Sequence, residues 1–162
     1  MRALVLVTLA ALAGACGFHP RGEASYPFQT LYLNAPGALP LRTDLRRALE
    51  ATGSATLMPT ADKAQVVLDV NSVDDDKRIL SLSSGGKVFE FLLTKRVMFR
   101  VHDAEGNDWL PTSEVVVRRT YTYSDTEALA KEYEEQRLWR DMQADAVQQI
   151  VRRMQASKKP VA

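Results

Sequence analysis

The alternation of apolar and polar side chains over residues 87–101 constrains the fold more than any other part of the sequence. Apolar residues recur at every second position, and several of the intervening positions are polar or charged. This period of two predicts one long β-strand with a buried face and an exposed face. Because about 15 residues exceed the usual strand length of about 3–10, we expect a bulge or a strong twist. The predicted buried face contains Phe89, Phe91, Leu93, Val97, Phe99 and Val101.

Lys95 is the charged residue that falls on this apolar face. It could lie where the strand extends beyond the core. Alternatively, its aliphatic stem could pack in the core while its ammonium group reaches solvent.

Further strands flank this one. Ser83-Ser84-Gly85-Gly86 predicts a hairpin turn, and residues 65–73 and 114–123 also alternate with a period of two. Asp74-Asp75-Asp76 interrupts the first of these patterns, which resumes over residues 77–82. Calcium loops space their ligands at alternate positions around a glycine turn, so three adjacent acids favour a solvated loop or bulge over a metal site.

Two segments have helical periodicity. In residues 41–51 the apolar side chains form one stripe, and Gly53 follows as a predicted C′ residue. Arg42, Arg46 and Arg47 lie off the stripe and are interpreted as a solvated face. A second helix, over residues 126–156, is predicted to begin at a capping box formed by Ser124 and Glu127. At about 45 Å it should extend past a small sheet. Its apolar stripe contains Tyr133, Trp139, Met142, Ala146, Ile150 and Met154.

The order of these elements predicts an α/β (α+β) fold. A first strand over residues 26–33 precedes a helix, three strands and a second helix. Two helices packed on one face of a four-stranded mixed sheet would form a two-layer sandwich. We expect the first strand at an edge of the sheet. Residues 26–156 would be a single domain, followed by a flexible tail over residues 157–162.

The start of the chain has the pattern of an export signal. Arg2 precedes an apolar run over residues 3–13, which is too short to span a bilayer. Ordinary signal cleavage and lipoprotein processing would both cut before Cys16. Cys16 is the only cysteine, so it has no intramolecular disulfide partner, and this favours lipidation. We therefore predict a lipoprotein signal peptide over residues 1–15 and a lipidated tether over residues 16–25.

The balance of charges limits the class of partner. Removing residues 1–15 removes one arginine and no acid, so the remaining basic and acidic side chains are equal in number. This balance gives no indication of general nucleic-acid binding, and an anionic partner would require a local basic patch. The sequence contains two histidines without metal-ligand spacing and no Walker, Rossmann or G-x-S-x-G pattern. We therefore expect a protein that is not an enzyme and holds no metal.

Several residue strings together resemble one family. Cys16-Gly17-Phe18-His19-Pro20-Arg21-Gly22 is similar to the C-G-[FW]-H-x-R start of the mature lipopolysaccharide-assembly lipoproteins of the LptE family. The glycine hairpin followed by Glu90 resembles that family's central hairpin. The strand containing Arg119, Tyr121 and Tyr123, followed by Ala128-Leu129-Ala130-Lys131-Glu132, resembles its last strand and the start of its long helix.

The resemblance implies a role in building the Gram-negative envelope. Members of this family are lipid-anchored at the periplasmic face of the outer membrane, plug the β-barrel partner LptD and assist its assembly. They also bind lipopolysaccharide and help deliver it to the outer leaflet. No cofactor is implied beyond the covalent diacylglycerol and N-acyl chain expected on Cys16. A non-catalytic scaffold lipoprotein of another envelope complex remains open, as does a carrier or enzyme released by ordinary cleavage.

The resemblance also indicates which side chains would contact lipopolysaccharide. Lipid A carries phosphates, which basic side chains bind through charge-assisted hydrogen bonds. The first candidate is Lys131, because its Leu-Ala-Lys segment matches the family. The family often has a basic residue within the hairpin loop, and here Lys87 could replace it. The full set of candidates is Lys131, Lys87, Arg78, Arg118 and Arg119.

Overall fold

The structure, a computed structural model, describes residues 25–160. The predicted signal peptide and Cys16 lie outside the described residues. The elements, in chain order, are β1 (Thr30–Asn34), α1 (Leu39–Thr52), β2 (Thr56–Leu57), β3 (Val66–Leu82), β4 (Val88–His102), β5 (Asp108–Thr122) and α2 (Ala128–Gln155). Short 3₁₀ turns, Ala61–Lys63 and Asp125–Glu127, precede β3 and α2.

The strands form one mixed sheet in the order β2-β1-β3-β4-β5. Strand β1 is parallel to both of its neighbours, whereas β3, β4 and β5 form an antiparallel meander. The predicted α/β sandwich is confirmed, with one strand more than expected. The additional strand is β2, which was not predicted because its two residues are too few to show an alternating pattern. It pairs outside β1, so the expectation that β1 forms the edge is wrong.

Strand β3 runs without interruption through Asp74, Asp75 and Asp76, so the expected loop there is wrong. Opposite charges across the strands explain this. Asp74 and Asp75 are in register with Arg96 and Lys95 of β4, and both pairs form salt bridges. Cross-strand pairs of opposite charge stabilise a sheet, so an acidic run is compatible with a strand here.

A bulge at Asn71 changes which residues of β3 face the helices. Val70 pairs with Phe99 and Ser72 pairs with Met98, so Asn71 has no partner in β4. Even-numbered residues before the bulge are buried, and Val66 and Leu68 are completely so. After an extra residue the alternation reverses. Asp75 therefore lies beside Lys95 on the helix-covered face.

The predicted buried face of β4 is confirmed over most of its length. Leu93, Val97, Phe99 and Val101 have no exposed surface. Phe91 is half-buried, and Phe89 is 49% exposed, so its predicted burial is wrong. Val88 pairs with Leu82 and Glu90 pairs with Ser81, which leaves Phe89 as a bulged residue. The expected bulge in this long strand is thus present, and it removes Phe89 from the core.

Both helices cover the same face of the sheet. Leu41, Leu45 and Leu49 of α1 are buried, and Gly53 ends the helix in the left-handed region with φ of 67°, as predicted. In α2 the buried residues lie in the second half of the helix and are Met142, Ala146, Val147, Ile150, Val151 and Met154.

Three expectations about α2 are wrong. Tyr133 is 65% exposed. The Ser124 side chain makes no capping bond and instead shares a hydrogen bond of 2.8 Å with the Thr126 hydroxyl. The helix is also not longer than the sheet, because its 28 residues span about 42 Å and the 17 residues of β3 span about 56 Å.

Lys95 is 3% exposed, so its side chain neither extends beyond the core nor projects freely into solvent. The Lys95 Nζ lies 2.6 and 2.8 Å from the two carboxylate oxygens of Asp75. The partner carboxylate is itself 46% exposed. The lysine is therefore neutralised inside the core by an acid that remains in contact with water.

Candidate functional site

The hairpin between β3 and β4 meets the start of α2 at one end of the molecule. Gly86 turns the hairpin with φ of 77°, and the Ser83 amide donates a hydrogen bond of 2.7 Å to the Lys87 carbonyl. The Tyr123 amide donates to the Phe89 carbonyl at 2.8 Å, which ties the end of β5 to the same hairpin. We call residues 79–91 together with residues 121–135 the hairpin end.

Lys87 and Lys131 both lie at the hairpin end, close to the corner where β5 leads into α2. The Lys87 Nζ is 3.2 Å from Asp125, and its side chain is 76% exposed. The Lys131 Nζ is 2.9 Å from Glu134 and 3.5 Å from the Thr122 hydroxyl. Its side chain is only 17% exposed.

The three candidate arginines do not join these lysines in a single site. Arg78 is in register with Leu92 on the sheet face away from the helices, and its Nε is 2.7 Å from Asp76. Arg118 is in register with Thr94 on that same open face. Arg119 lies on the helix-covered face and forms a salt bridge with Asp145 of α2. The five residues are thus divided between a corner and two sheet faces.

Exposed apolar side chains are concentrated at the hairpin end. Six large hydrophobic residues there are between 49% and 66% exposed: Ile79, Leu80, Leu82, Phe89, Leu129 and Tyr133. Apolar side chains grouped on a surface and bordered by polar ones commonly mark a binding site. The two lysines provide such a polar border.

Sequence reasoning missed a partly buried charge cluster behind this surface, in which the side chain of Lys77 is 38% exposed and that of Glu135 is 20% exposed. Glu135 accepts hydrogen bonds from the Lys77 ammonium and the Tyr121 hydroxyl, both at 2.5 Å, and from the Trp139 indole at 3.2 Å. The Lys77 Nζ also lies 4.2 Å from the centre of the Phe91 ring. The sequence signal for this cluster is the position of Glu135 four residues before Trp139, which lies on the apolar stripe of α2.

Hydrogen bonding outweighs burial in setting the charges of this cluster. Burial raises the pKa of Glu135, but the bonds donated by Lys77, Tyr121 and Trp139 lower it below the usual range. Burial lowers the pKa of Lys77, but the hydrogen bond to Glu135 and its negative charge leave it raised. Burial and then the hydrogen bond to Glu135 raise the pKa of Tyr121. The cluster is therefore a stable ion pair at neutral pH that fastens α2 to the hairpin.

Glu135→Gln should lower the free energy of unfolding by about 1–3 kcal/mol at pH 7, because it removes a charged acceptor of three hydrogen bonds. The pKa of Glu135 is lowered by folding, so its stabilisation is complete above the unfolded value of about 4.3. That stabilisation is lost as the pH falls through the folded pKa. Urea unfolding at pH 7 and pH 3 would measure the difference between variant and wild type at each pH.

Glu132→Gln is the matched control, because Glu132 is an exposed acid on the same helix. It should change stability by less than about 0.5 kcal/mol at both values of pH. A Glu135→Gln effect that stays constant from pH 7 to pH 3 would contradict the assignment of an ionised Glu135.

Comparison with known proteins identifies the family. The family model described as LptE, lipopolysaccharide-assembly, matches residues 28–154. The chain belongs to the LptE family. The LPS-assembly lipoprotein LptE of Pectobacterium atrosepticum is 29% identical over 154 residues, which cover 93% of this chain and 83% of that protein. Because it is a member of the LptE family, the protein takes part in lipopolysaccharide assembly.

Solved structures of lipoproteins share the fold. The solution structure of lipoprotein B from Nitrosomonas europaea has 38% identity and a TM-score of 0.76, over 86% of this chain and 91% of that chain. The minor lipoprotein from Acinetobacter baumannii has 27% identity and a TM-score of 0.66, over 82% and 98%. The fold of this chain is therefore one that solved bacterial lipoproteins also adopt. Within residues 25–160, no helix combines the length and apolar character needed to cross a membrane.

Proposed function

We propose that this chain is an outer-membrane lipoprotein that plugs the β-barrel of LptD and assists its assembly. It binds lipopolysaccharide and helps deliver it to the outer leaflet, and it makes or breaks no covalent bond. The observation that carries the proposal is the LptE-family match over residues 28–154. The LPS-assembly lipoprotein LptE of Pectobacterium atrosepticum, similar over most of both chains, supports it.

Cys16 is the proposed attachment point. Diacylglycerol on its sulfur and an N-acyl chain on its amino group would supply the two or more chains that stable anchoring requires. Palmitate labelling of the wild type, with Cys16→Ala as the unlabelled control, measures this directly. An unlabelled wild-type protein would remove the anchor from the proposal.

Two features of the hairpin end support binding of lipopolysaccharide. The ligand combines acyl chains with phosphates, and the hairpin end combines exposed apolar side chains with Lys87 and Lys131. Ammonium groups form charge-assisted hydrogen bonds with phosphate oxygens. The acids that neutralise these lysines, Asp125 and Glu134, are about half exposed and could be displaced without leaving a buried charge.

The charge distribution supports the role of a plug. The lumen of an outer-membrane barrel is polar, so a plug requires a surface of mixed charge. On the sheet face away from the helices, salt bridges link Asp74 with Arg96, Arg96 with Glu114, and Arg100 with Asp69. This open face and the hairpin end are the proposed contact surfaces for the barrel.

A crosslinking experiment tests the partner. A photo-reactive residue at position 87, in chains expressed in the outer membrane, should capture a large β-barrel protein after detergent extraction. The same probe at position 50, on an exposed site of α1, is the control for nonspecific capture. Capture of a different envelope complex would favour the alternative function, a scaffold lipoprotein of that complex.

The combined variant Lys87→Asp and Lys131→Asp should weaken lipopolysaccharide binding by at least about tenfold, because each change replaces an attractive charge with a repulsive one. Lys63→Asp, at an exposed turn outside the hairpin end, should leave binding unchanged. Binding is measured with purified lipopolysaccharide, and circular dichroism checks that each variant is folded. Undiminished binding by the double variant would exclude these lysines from the site.

A further inference from the structure

A second basic site lies against α1, away from the hairpin end. Arg42 and Arg46 line a cleft of about 180 Å³ together with Tyr32 and Leu33 of β1 and the segment that follows β2. The two arginines are four residues apart, so their side chains emerge from the same side of the helix. The lining is completed by Leu57, the last residue of β2, and by Met58 and Pro59, which follow it.

Neither arginine is neutralised within the part of the chain that the structure describes. The guanidinium groups of Arg42 and Arg46 form no ion pair or side-chain hydrogen bond there, and neither does the Tyr32 hydroxyl. Arg47, on the same helix, instead lies 3.7 Å from Asp44 and outside the cleft. Two like charges one turn apart destabilise a helix, so the arrangement has a cost that a bound anion would offset.

The residues around the cleft favour one ligand chemistry. Guanidinium groups bind phosphate oxygens through paired, charge-assisted hydrogen bonds, and a tyrosine hydroxyl adds a further donor. The apolar walls formed by Leu33, Leu57 and Pro59 strengthen these contacts by excluding water. A volume near 180 Å³ is below the roughly 300–1,000 Å³ of sites for drug-sized ligands, so it fits a single headgroup.

We propose that this cleft binds a phosphate group through Arg42 and Arg46. The cleft lies at the β2–β1 side of the sheet, whereas the strand β5 that leads into the hairpin end forms the opposite edge. The proposed phosphate site in this cleft is therefore separate from Lys87 and Lys131 and does not depend on them. The phosphate could be a free phosphate ester or the headgroup of a membrane lipid.

The first experiment measures binding of inorganic phosphate by NMR chemical-shift titration, against potassium chloride at equal ionic strength. Phosphate should shift the amide resonances around residues 32, 42 and 46 more than chloride does. The combined variant Arg42→Gln and Arg46→Gln should weaken this binding by at least about tenfold. Arg47→Gln is the matched control and should bind as the wild type does, because Arg47 already pairs with Asp44.

The second experiment distinguishes the two sources of phosphate. Wild type and variants without the lipid anchor are mixed with vesicles of phosphatidylcholine alone or with one third phosphatidylglycerol, and sedimentation measures the bound fraction. Binding to the anionic vesicles that is lost only in the Arg42→Gln, Arg46→Gln variant assigns a lipid headgroup. Phosphate binding without vesicle binding assigns a free phosphate ester. The proposal is overturned if the double variant matches Arg47→Gln in both experiments.

Discussion

Phe99→Ala should lower the free energy of unfolding by about 3–5 kcal/mol. Phe99 has no exposed surface and lies in the middle of β4, in register with Val70 of β3 and Ser113 of β5. Removing the ring takes apolar surface out of the core and leaves a cavity that a sheet covered by two helices can only partly close. Urea unfolding followed by far-UV circular dichroism would measure the change.

Phe89→Ala provides the comparison, because Phe89 is a phenylalanine of the same strand that is 49% exposed. It should cost less than about 1 kcal/mol, since much of the ring is already in contact with water. Equal losses for Phe89→Ala and Phe99→Ala would contradict the assignment of Phe89 to a bulge outside the core.

Asp75→Ala should destabilise the protein by about 3 kcal/mol. Lys95 is 3% exposed in the wild type, and the change removes the carboxylate partner of its ammonium group; breaking a buried pair in this way is strongly unfavourable, by about 3–5 kcal/mol. A Trp139 ring 5.7 Å from the ammonium is too weak a partner to compensate. The midpoint of urea unfolding at pH 7 would measure this loss.

The reverse change should have a much smaller effect. Lys95→Met leaves Asp75 with about half of its side chain in water, so no buried charge is left alone. The combined variant Asp75→Ala and Lys95→Met should then recover most of the stability lost in Asp75→Ala. If Lys95→Met is as destabilising as Asp75→Ala, the loss in Asp75→Ala does not come from an unpaired, buried Lys95 ammonium group.

Strands and helices with clear periodicity could be predicted from the sequence. The alternation in β4 and the apolar stripe of α1 each depend on neighbours within a few residues, and both were confirmed. The bulges at Asn71 and Phe89 could not be placed in the same way. A bulge is defined by the register of the partner strand, and no local pattern records which residue is left unpaired.

The candidate site shows the same division. The sequence, through its resemblance to the LptE family, directed attention to Lys87 and Lys131, and both lie at the hairpin end. The sequence could not show that Arg119 lies on the helix-covered face of the sheet, where it forms a salt bridge with Asp145. It also could not pair Lys77 with Glu135, because these residues are 58 positions apart.

By itself the sequence determined the class of fold and the family, because periodicity and short motifs depend on neighbouring residues. It also identified Cys16, the only cysteine, as the candidate site for a lipid anchor. Only the tertiary structure decided where each charge acts. The long strand 87–101 predicted a buried face, and it left open how Lys95 could lie within it. The answer required Asp75, which reaches that face only because the bulge at Asn71 reverses the alternation of β3. Cross-strand register is a property of the folded sheet, and for this reason it decides which charges are neutralised and which remain available to a ligand.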